Sequence, residues 1–564
     1  MFSDKRRFWL LAFVLISTAC RSGTQSGPDR VALIPFDNQS PDAEAQWAGE
    51  GIAQLAVAQL AGAPTAAYFV AADSAEAVRN RATHMVQGYW TGGVSTGNLE
   101  LHGELRTVAG IHSRSLTVKA SSPSAVAHGL AIALWPQAPG SPTAPTGALR
   151  LYIEGGRNRN AAQLEESIAA APDFGPARFS LGQLQTIQGD RAAAKETFGQ
   201  ATARPSLDAL SRARCAVASA SDPASRLAAL EALTLLTPAH AESFVQAGSA
   251  ALAFHRFDRA ARLLGTSTQL DPGAAIPWNE LGYALAFSGD RNGALAKIRE
   301  YGKLAPDSAN PLDSLGEVYF LHGDFAEAEQ AFLDAYTKDP GLLRAVTLRK
   351  AAVARMLAGD AAQANLIFER YKDAMAKHPL APLLAIQWKY SSGDKAGAIA
   401  AVLALATGSR SSYAWAQGAL WLAAEKEFDR AAAAATQARA AARSANEAAG
   451  ALVAGFIAQP DAPPAEWTRR AEGVHPSVRS RALAWALLMH GHFAEAATQL
   501  EQASAGATLS EYSQFQALAG HAWLQAGDKA KAKKLLALWP LPSSDGNLFD
   551  SMVFPAVGEW KQKL

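Results

Sequence analysis

One interval recurs along this chain and constrains its fold more than any single motif. Gly248, Gly282 and Gly316 are spaced 34 residues apart. The same spacing links Ala260, Ala294 and Ala328, then Pro272, Pro306 and Pro340, and at a fourth phase Phe244, Trp278 and Leu312. A fixed period of this size marks a stack of small supersecondary units, none able to bury its apolar face alone. Gly-Asp pairs punctuate the stack at 189–190, 289–290, 323–324, 359–360, 393–394 and 527–528, each followed by an Ala five residues after the Gly. Gly491 and Ala496 follow the same rule, and Phe428, Asp429 and Ala431 mark a further unit.

The unit from Ala309 to Leu342 shows what each residue type does. Gly316 and Ala328 are small where two helices would cross closely, while Tyr319 and Phe332 fill the space between neighbouring pairs. Pro340 cannot continue a helix and ends the unit. Gly323 accepts positive φ, Asp324 is expected to cap the next helix, and Glu327 and Glu329 are expected on a solvated face. Period and residue types together resemble the tetratricopeptide repeat (TPR), a 34-residue helix–turn–helix. About eleven such hairpins are expected over residues 147–540, three of them degenerate, with 541–564 as a tail capping the open end.

The resemblance implies a superhelix whose first helices line a concave groove for a protein or peptide partner. It assigns the groove to Ile276, Asn279, Tyr283, Ala286 and Phe287, then Asn310, Asp313, Glu317, Phe320 and Leu321. These residues mix aromatic, polar and acidic groups, which suits peptide recognition. Phe287, Phe320 and Leu321 would equally serve as core.

The chain opens with a targeting pattern. Lys5, Arg6 and Arg7 precede a ten-residue apolar run, Phe8 to Ser17, and then small residues. That run is too short to span a bilayer, which takes about 20 residues. It fits a cleavable secretory signal over 1–19. The string STAC, Ser17 to Cys20, resembles a bacterial lipobox, although Ser17 stands where the family favours Leu. The resemblance implies lipidation of Cys20, with residues 20–28 as a tether and the membrane as a partner. Arg21 is not the Asp that retains some lipoproteins at the inner membrane, which points to the outer membrane. The alternative is an ordinary signal cut near Ala19, with Cys20 incidental. Cys215, the other cysteine, is expected to be buried and inert.

Residues 29–135 read as a small α/β domain in the order βαβαβββα. Arg30–Phe36 and Ala66–Ala72 are apolar strands, and a helix capped by Ser74 follows the second. Three further strands between Thr83 and Ser121 are joined by turns suited to hairpins, and a helix closes the unit. The strings ALIPFDNQS and VQGYW…LHGELRTVAG resemble the TolB amino-terminal-like domain, which implies no enzymatic activity. Residues 136–146 are Pro-rich and read as a semi-stiff linker. The fold class is therefore α+β, a small α/β domain followed by a long all-α solenoid.

Composition removes several function classes. Lys plus Arg number 52 and Asp plus Glu 51, so no net field points to nucleic acid. Hydrophobic residues reach 49%, enough apolar surface to bury. His490 and His492 sit at a repeat turn and do not complete a tetrahedral metal site. No Gly-rich phosphate loop or serine elbow is present. The expectation is a non-enzymatic scaffold without cofactor or metal, anchored in the envelope. The alternative is a regulator whose α/β domain detects a ligand while the repeats relay it.

Overall fold

The computed structural model describes residues 27–110, 112–458, 469, 476–542 and 550–564. The expected signal segment, Cys20 and most of the tether lie outside them, as does part of the tail.

The amino-terminal unit is a mixed sheet of β1 (Asp29–Leu33), β2 (Asp37–Asn38), β3 (Ala66–Val70), β4 (His84–Thr91), β5 (Leu99–Thr107) and β6 (Ser113–Ala120). Its order is β3-β1-β4-β5-β6, with β2 beside β4. β1 runs parallel to both neighbours, and β4, β5 and β6 are antiparallel. Side chains alternate across a strand. Val31, Leu33, Val86, Trp90 and Leu101 therefore share one core with helices α1 (Trp47–Leu60) and α3 (Pro123–Leu134). Ala32 and Met85 face the other way, towards α2 (Ser74–Arg79). The cap of α2 is Asp73 rather than the expected Ser74. Its carboxylate accepts from the Glu76 N–H, and Ser74 becomes the first helical residue.

The Pro-rich segment 136–146 is tied to this domain rather than free. Ala138 and Ala144 are buried in its core, Ser124 Oγ donates to the Ala144 carbonyl at 2.6 Å, and Gln59 Nε2 donates to that of Pro142 at 3.0 Å.

Among the described residues, eleven helix–turn–helix pairs follow, from Thr146–Asn158 with Ala161–Ala170 to Leu509–Gln525 with Lys529–Leu535. The small residues are explained by what lies sixteen positions on. A Cβ at Gly182, Gly248, Gly282, Gly316 or Gly520 would fall 2.3–2.7 Å from the side chain of Phe198, Leu264, Ile298, Phe332 or Leu536. Only glycine lets the paired helices approach this closely. The recurring alanines 260, 294 and 328 are fully buried at the same crossings.

The Gly-Asp turns behave as the sequence indicates. The glycines have φ between +83° and +107°, and Asp190, Asp290, Asp360, Asp394 and Asp528 each cap the following helix. Asp324 departs from this. It stands at the N-cap but makes no cap bond; its carboxylate is drawn to Arg291 Nε at 2.5 Å. Glu327 is exposed, and Glu329 is half-buried beside Arg355 at 3.4 Å.

The sheet domain and the described part of the tail both pack onto the array. Asp271, buried at the end of helix Phe257–Leu270, receives Arg81 at 3.1 and 2.5 Å and Arg30 at 3.3 Å, which docks the sheet domain. At the other end, the described part of the tail turns inward. Helix Asp550–Gln562 lies on the first helices Val346–Leu357 and Ala381–Ser391. Its apolar face, Val553, Phe554 and Val557, is buried there, and Trp421 Nε1 donates to Ser551 Oγ. Ahead of it, the Trp539 N–H donates to the Leu321 carbonyl at 2.8 Å, and its indole packs edge-on against Phe325.

Candidate partner-binding site

The groove residues divide into two groups. Asp313 and Glu317, on helix Asn310–His322, meet Lys350 from the next pair. The Lys350 ammonium donates to both Asp313 oxygens at 2.9 and 2.8 Å and to Glu317 Oε1 at 2.5 Å. Tyr283 OH donates to Glu317 Oε2 at 2.6 Å. Lys350 and Asp313 are only 2% and 3% exposed, so this is an interior ion cluster. Burial pushes the Asp313 carboxyl up, with Lys350 pulling against it. Burial alone would lower the Lys350 ammonium, yet Glu317 and Asp313 together hold it above its ordinary value. Phe320 is fully buried, edge-on to Phe325 and Phe554, and Phe287 stacks on Phe257 at 4.9 Å. Ala286 and Leu321 are buried as well.

The other group faces outward or is only partly covered. Ile276 is 66% exposed, unusual for an isoleucine on a packed helix. Asn279 lies one turn along and is half-buried, its Oδ1 buried without a hydrogen-bond partner. Asn310 Nδ2 donates to Tyr301 OH at 3.0 Å.

Sequence reasoning missed Lys350. A 3-10 turn, Leu342–Ala345, lengthens that unit, and the next turn glycine is Gly359, two residues beyond the 34-residue register from Gly323. Lys350 falls on no groove position whether the count runs in strict periods or from Gly359, so unit position could not find it.

A second surface forms where the last pair meets the middle of the array. His255 Nε2 bonds the Ala507 carbonyl at 3.1 Å, and the His255 ring stacks on Tyr512 at 4.1 Å. Tyr512 also packs edge-on against Phe257 and Phe287. Beside these rings lies a cleft of about 610 Å³, walled by Phe254, His255 and Arg256 on one side and by Glu501, Lys531 and Lys534 on the other. A signal for it existed in the sequence. In the 34-residue register, His255-Arg256 occupies the place of Gly289-Asp290 and Gly323-Asp324. His255 pays for it with φ of +55°, a conformation glycine adopts freely.

Among the described residues, no group of three or more His, Cys, Asp or Glu is placed to hold a metal ion. His490 Nε2 bonds the Ile457 carbonyl, and His492 lies 3.5 Å from Glu495. Cys215 is fully buried, and burial pushes its thiol up to about 12.

No family model matches the sequence, and no curated relative does. Solved structures match over part of the chain. MamA aligns at 17% identity and TM-score 0.27, over 36% of this chain and 96% of MamA. A TPR protein of Thermus thermophilus aligns at 18% identity and TM-score 0.22, over 37% and 95%. YrrB, described as a TPR protein with an unusual peptide-binding site, aligns at 14% identity and TM-score 0.26, over 39% and 96%. The array of this chain is defined by its own helical pairs, period and turn glycines.

Proposed function

We propose that this protein is a non-enzymatic scaffold that binds a protein or peptide partner on the first-helix face of its repeats. The observation that carries this reading is Ile276, an apolar side chain left 66% exposed on the first helix of a packed pair. A rigid stack of helices offering apolar and hydrogen-bonding groups together is suited to recognising another chain. The test is site-specific photocrosslinking in cells. A crosslinker at Ile276 or Asn279 should give a discrete adduct that one at Ile187, 73% exposed elsewhere on the array, does not. Equal adducts at both places, or none, would remove the reading.

The envelope placement rests on the first 20 residues: a basic start, a short apolar run and Cys20 after small residues. The protein would then be a lipoprotein held by acyl chains on Cys20, facing the periplasm, with the outer membrane favoured. Mass spectrometry of the mature amino terminus tests this, since Cys20→Ser should abolish both the acyl mass and membrane retention.

One observation favours the second reading, a ligand-sensing regulator. A crevice of about 590 Å³ opens at the carboxyl ends of the parallel strands β1 and β3, between Pro35, Asp37 and Asp73 and the stacked pair Tyr89–His102. The connection after β1 enters α1 on one face of the sheet, and that after β3 enters α2 on the other. Ligands of open α/β sheets favour such places. Thermal shift of the whole chain across a metabolite panel tests it, and a crevice variant, Tyr89→Ala, should cancel any shift found.

A further inference from the structure

The seam between the last helical pair and the middle of the array is unlike the rest of the surface in charge. Three adjoining hollows share Phe287, Tyr512, His255 and Arg256 among their walls. Their charged residues are Arg256, Arg259, Arg262, Lys531 and Lys534 against Asp258 and Glu501. Five cations to two carboxylates is a local excess in a chain whose totals are 52 and 51. Both carboxylates are already engaged: Asp258 accepts from Ser288 Oγ at 3.0 Å and Glu501 from Trp523 Nε1 at 2.8 Å. Arg259 is paired with Glu231, and Lys531 lies over the Trp523 ring and 3.5 Å from Asp528. Among the described residues, the Arg256, Arg262 and Lys534 side chains have no such partner, and all three are exposed. They surround a floor of aromatic rings.

We propose that this cleft docks an acidic segment of the partner, carrying aromatic residues between its carboxylates. The proposal rests on the scaffold reading and adds to it a second contact, apart from Ile276, with a stated chemistry. Arginine forks bind carboxylates in two parallel hydrogen bonds, and a partner's aromatic side chains extend the ring stack already begun by Tyr512. The cations are gathered around three adjoining hollows, not along a stripe that would follow a nucleic-acid backbone. A concave site between two walls admits a chain more readily than a flat lipid surface. Because its walls come from residues 254–289 and 501–538, an occupant would bridge distant parts of the array.

The test uses the whole mature chain and fluorescence anisotropy with a labelled peptide of mixed Glu and Phe. A Lys–Phe counterpart, oligouridylate and phosphatidylglycerol vesicles are the competing probes. The Glu–Phe peptide should bind and should weaken as salt is raised, because exposed charges are screened beyond about 10 Å at 0.1 M. Charge reversal in R256E/K534E should weaken it by about tenfold or more, the cost of losing charge-assisted hydrogen bonds. K533E changes the net charge on the same helix but lies outside the cleft lining, and should leave binding unchanged. Circular dichroism checks that every variant keeps its helices. The proposal is overturned if the acidic peptide does not bind, if K533E matches R256E/K534E, or if oligouridylate or vesicles bind as tightly through the same residues. Adducts at Ile276 that persist alongside such a failure would leave the scaffold reading standing.

Discussion

The Lys350 cluster and the Arg256 seam are built on the same kind of helical pair, and both gather charge, yet they meet opposite environments. Around Lys350 every ammonium proton has an acceptor, and the aromatic Phe332 lies 5.4 Å beneath. The chain's own tail helps close that part of the array. Around Arg256 three of the five cations, Arg256, Arg262 and Lys534, are solvated and unmatched. Charge that is buried must be paired, because leaving water costs several kcal/mol per ion. Charge left exposed and unpaired contributes little to the fold. The contrast separates structural from available charge, and it can be broken by substitution.

The largest effect is expected from Lys350→Met. It would leave two carboxylates, Asp313 and Glu317, inside the array without their cation, at a cost of about 3–5 kcal/mol. Urea unfolding followed by circular dichroism should show the loss. Arg256→Met, changed in the same way at the seam, should shift stability by no more than about 0.5 kcal/mol. Similar losses at both positions would erase the distinction.

Acid should act on the two joints of the molecule. His240 and His521 are both driven down from 6.5 to about 4, chiefly by burial, His240 helped by nearby Arg214 and Arg30 and His521 by Lys563. Each is neutral when folded and takes up a proton on unfolding at mildly acidic pH. Their contribution is therefore intact above pH 6.5, declines as pH falls towards 4, and is gone below that. The unfolding midpoint should follow this curve, and His521→Gln should flatten part of it. His521 stacks on Trp560 of the tail helix at 4.2 Å, so the same variant reports on how the tail is held.

A smaller cost is expected at the helix crossings. Gly316→Ala would place a methyl 2.5 Å from the ring of Phe332, which is fully buried and has no room to yield. Overpacking of this kind costs about 1–3 kcal/mol. Gly199→Ala, where nothing lies within 4 Å, should be neutral or gain up to about 1 kcal/mol from helix propensity. Equal effects at the two glycines would show that the sixteen-residue packing rule does not govern the array.

These contrasts also show what the sequence could and could not express. The period, the crossing glycines and the capping aspartates were legible because each repeats for a local reason: a close approach or a helix end. The strands were legible from apolar runs and turns. Fold-back was not. Phe554 and Trp539 meet Phe320 and Phe325 across more than two hundred residues, and no local spacing encodes such a contact. Groove residues were located by unit position, but Asp313 is closed off by Lys350 of the next pair, which stands at no groove position. The seam was half legible. His255-Arg256 breaks the Gly-Asp rule in plain view, although its meaning depends on what arrives from residues 507–538.

That break gives the finest test of the comparison. Arg256 stands at the N-cap of helix Phe257–Leu270 with φ −93° and ψ 63°, close to the −84° and 78° of the capping Asp290. Its side chain makes no cap bond, and a cation there opposes the helix dipole. Arg256→Asp should restore the cap used by five other pairs and stabilise the array by about 1 kcal/mol. The same change should weaken the acidic peptide by about tenfold or more, since one cation becomes a carboxylate. Stability rising while binding falls would mean that the repeat gives up local stability at this turn in exchange for recognition. If Arg256→Asp instead lowered both, Arg256 would belong with Lys350 as structural charge, and the seam would lose its claim to a ligand.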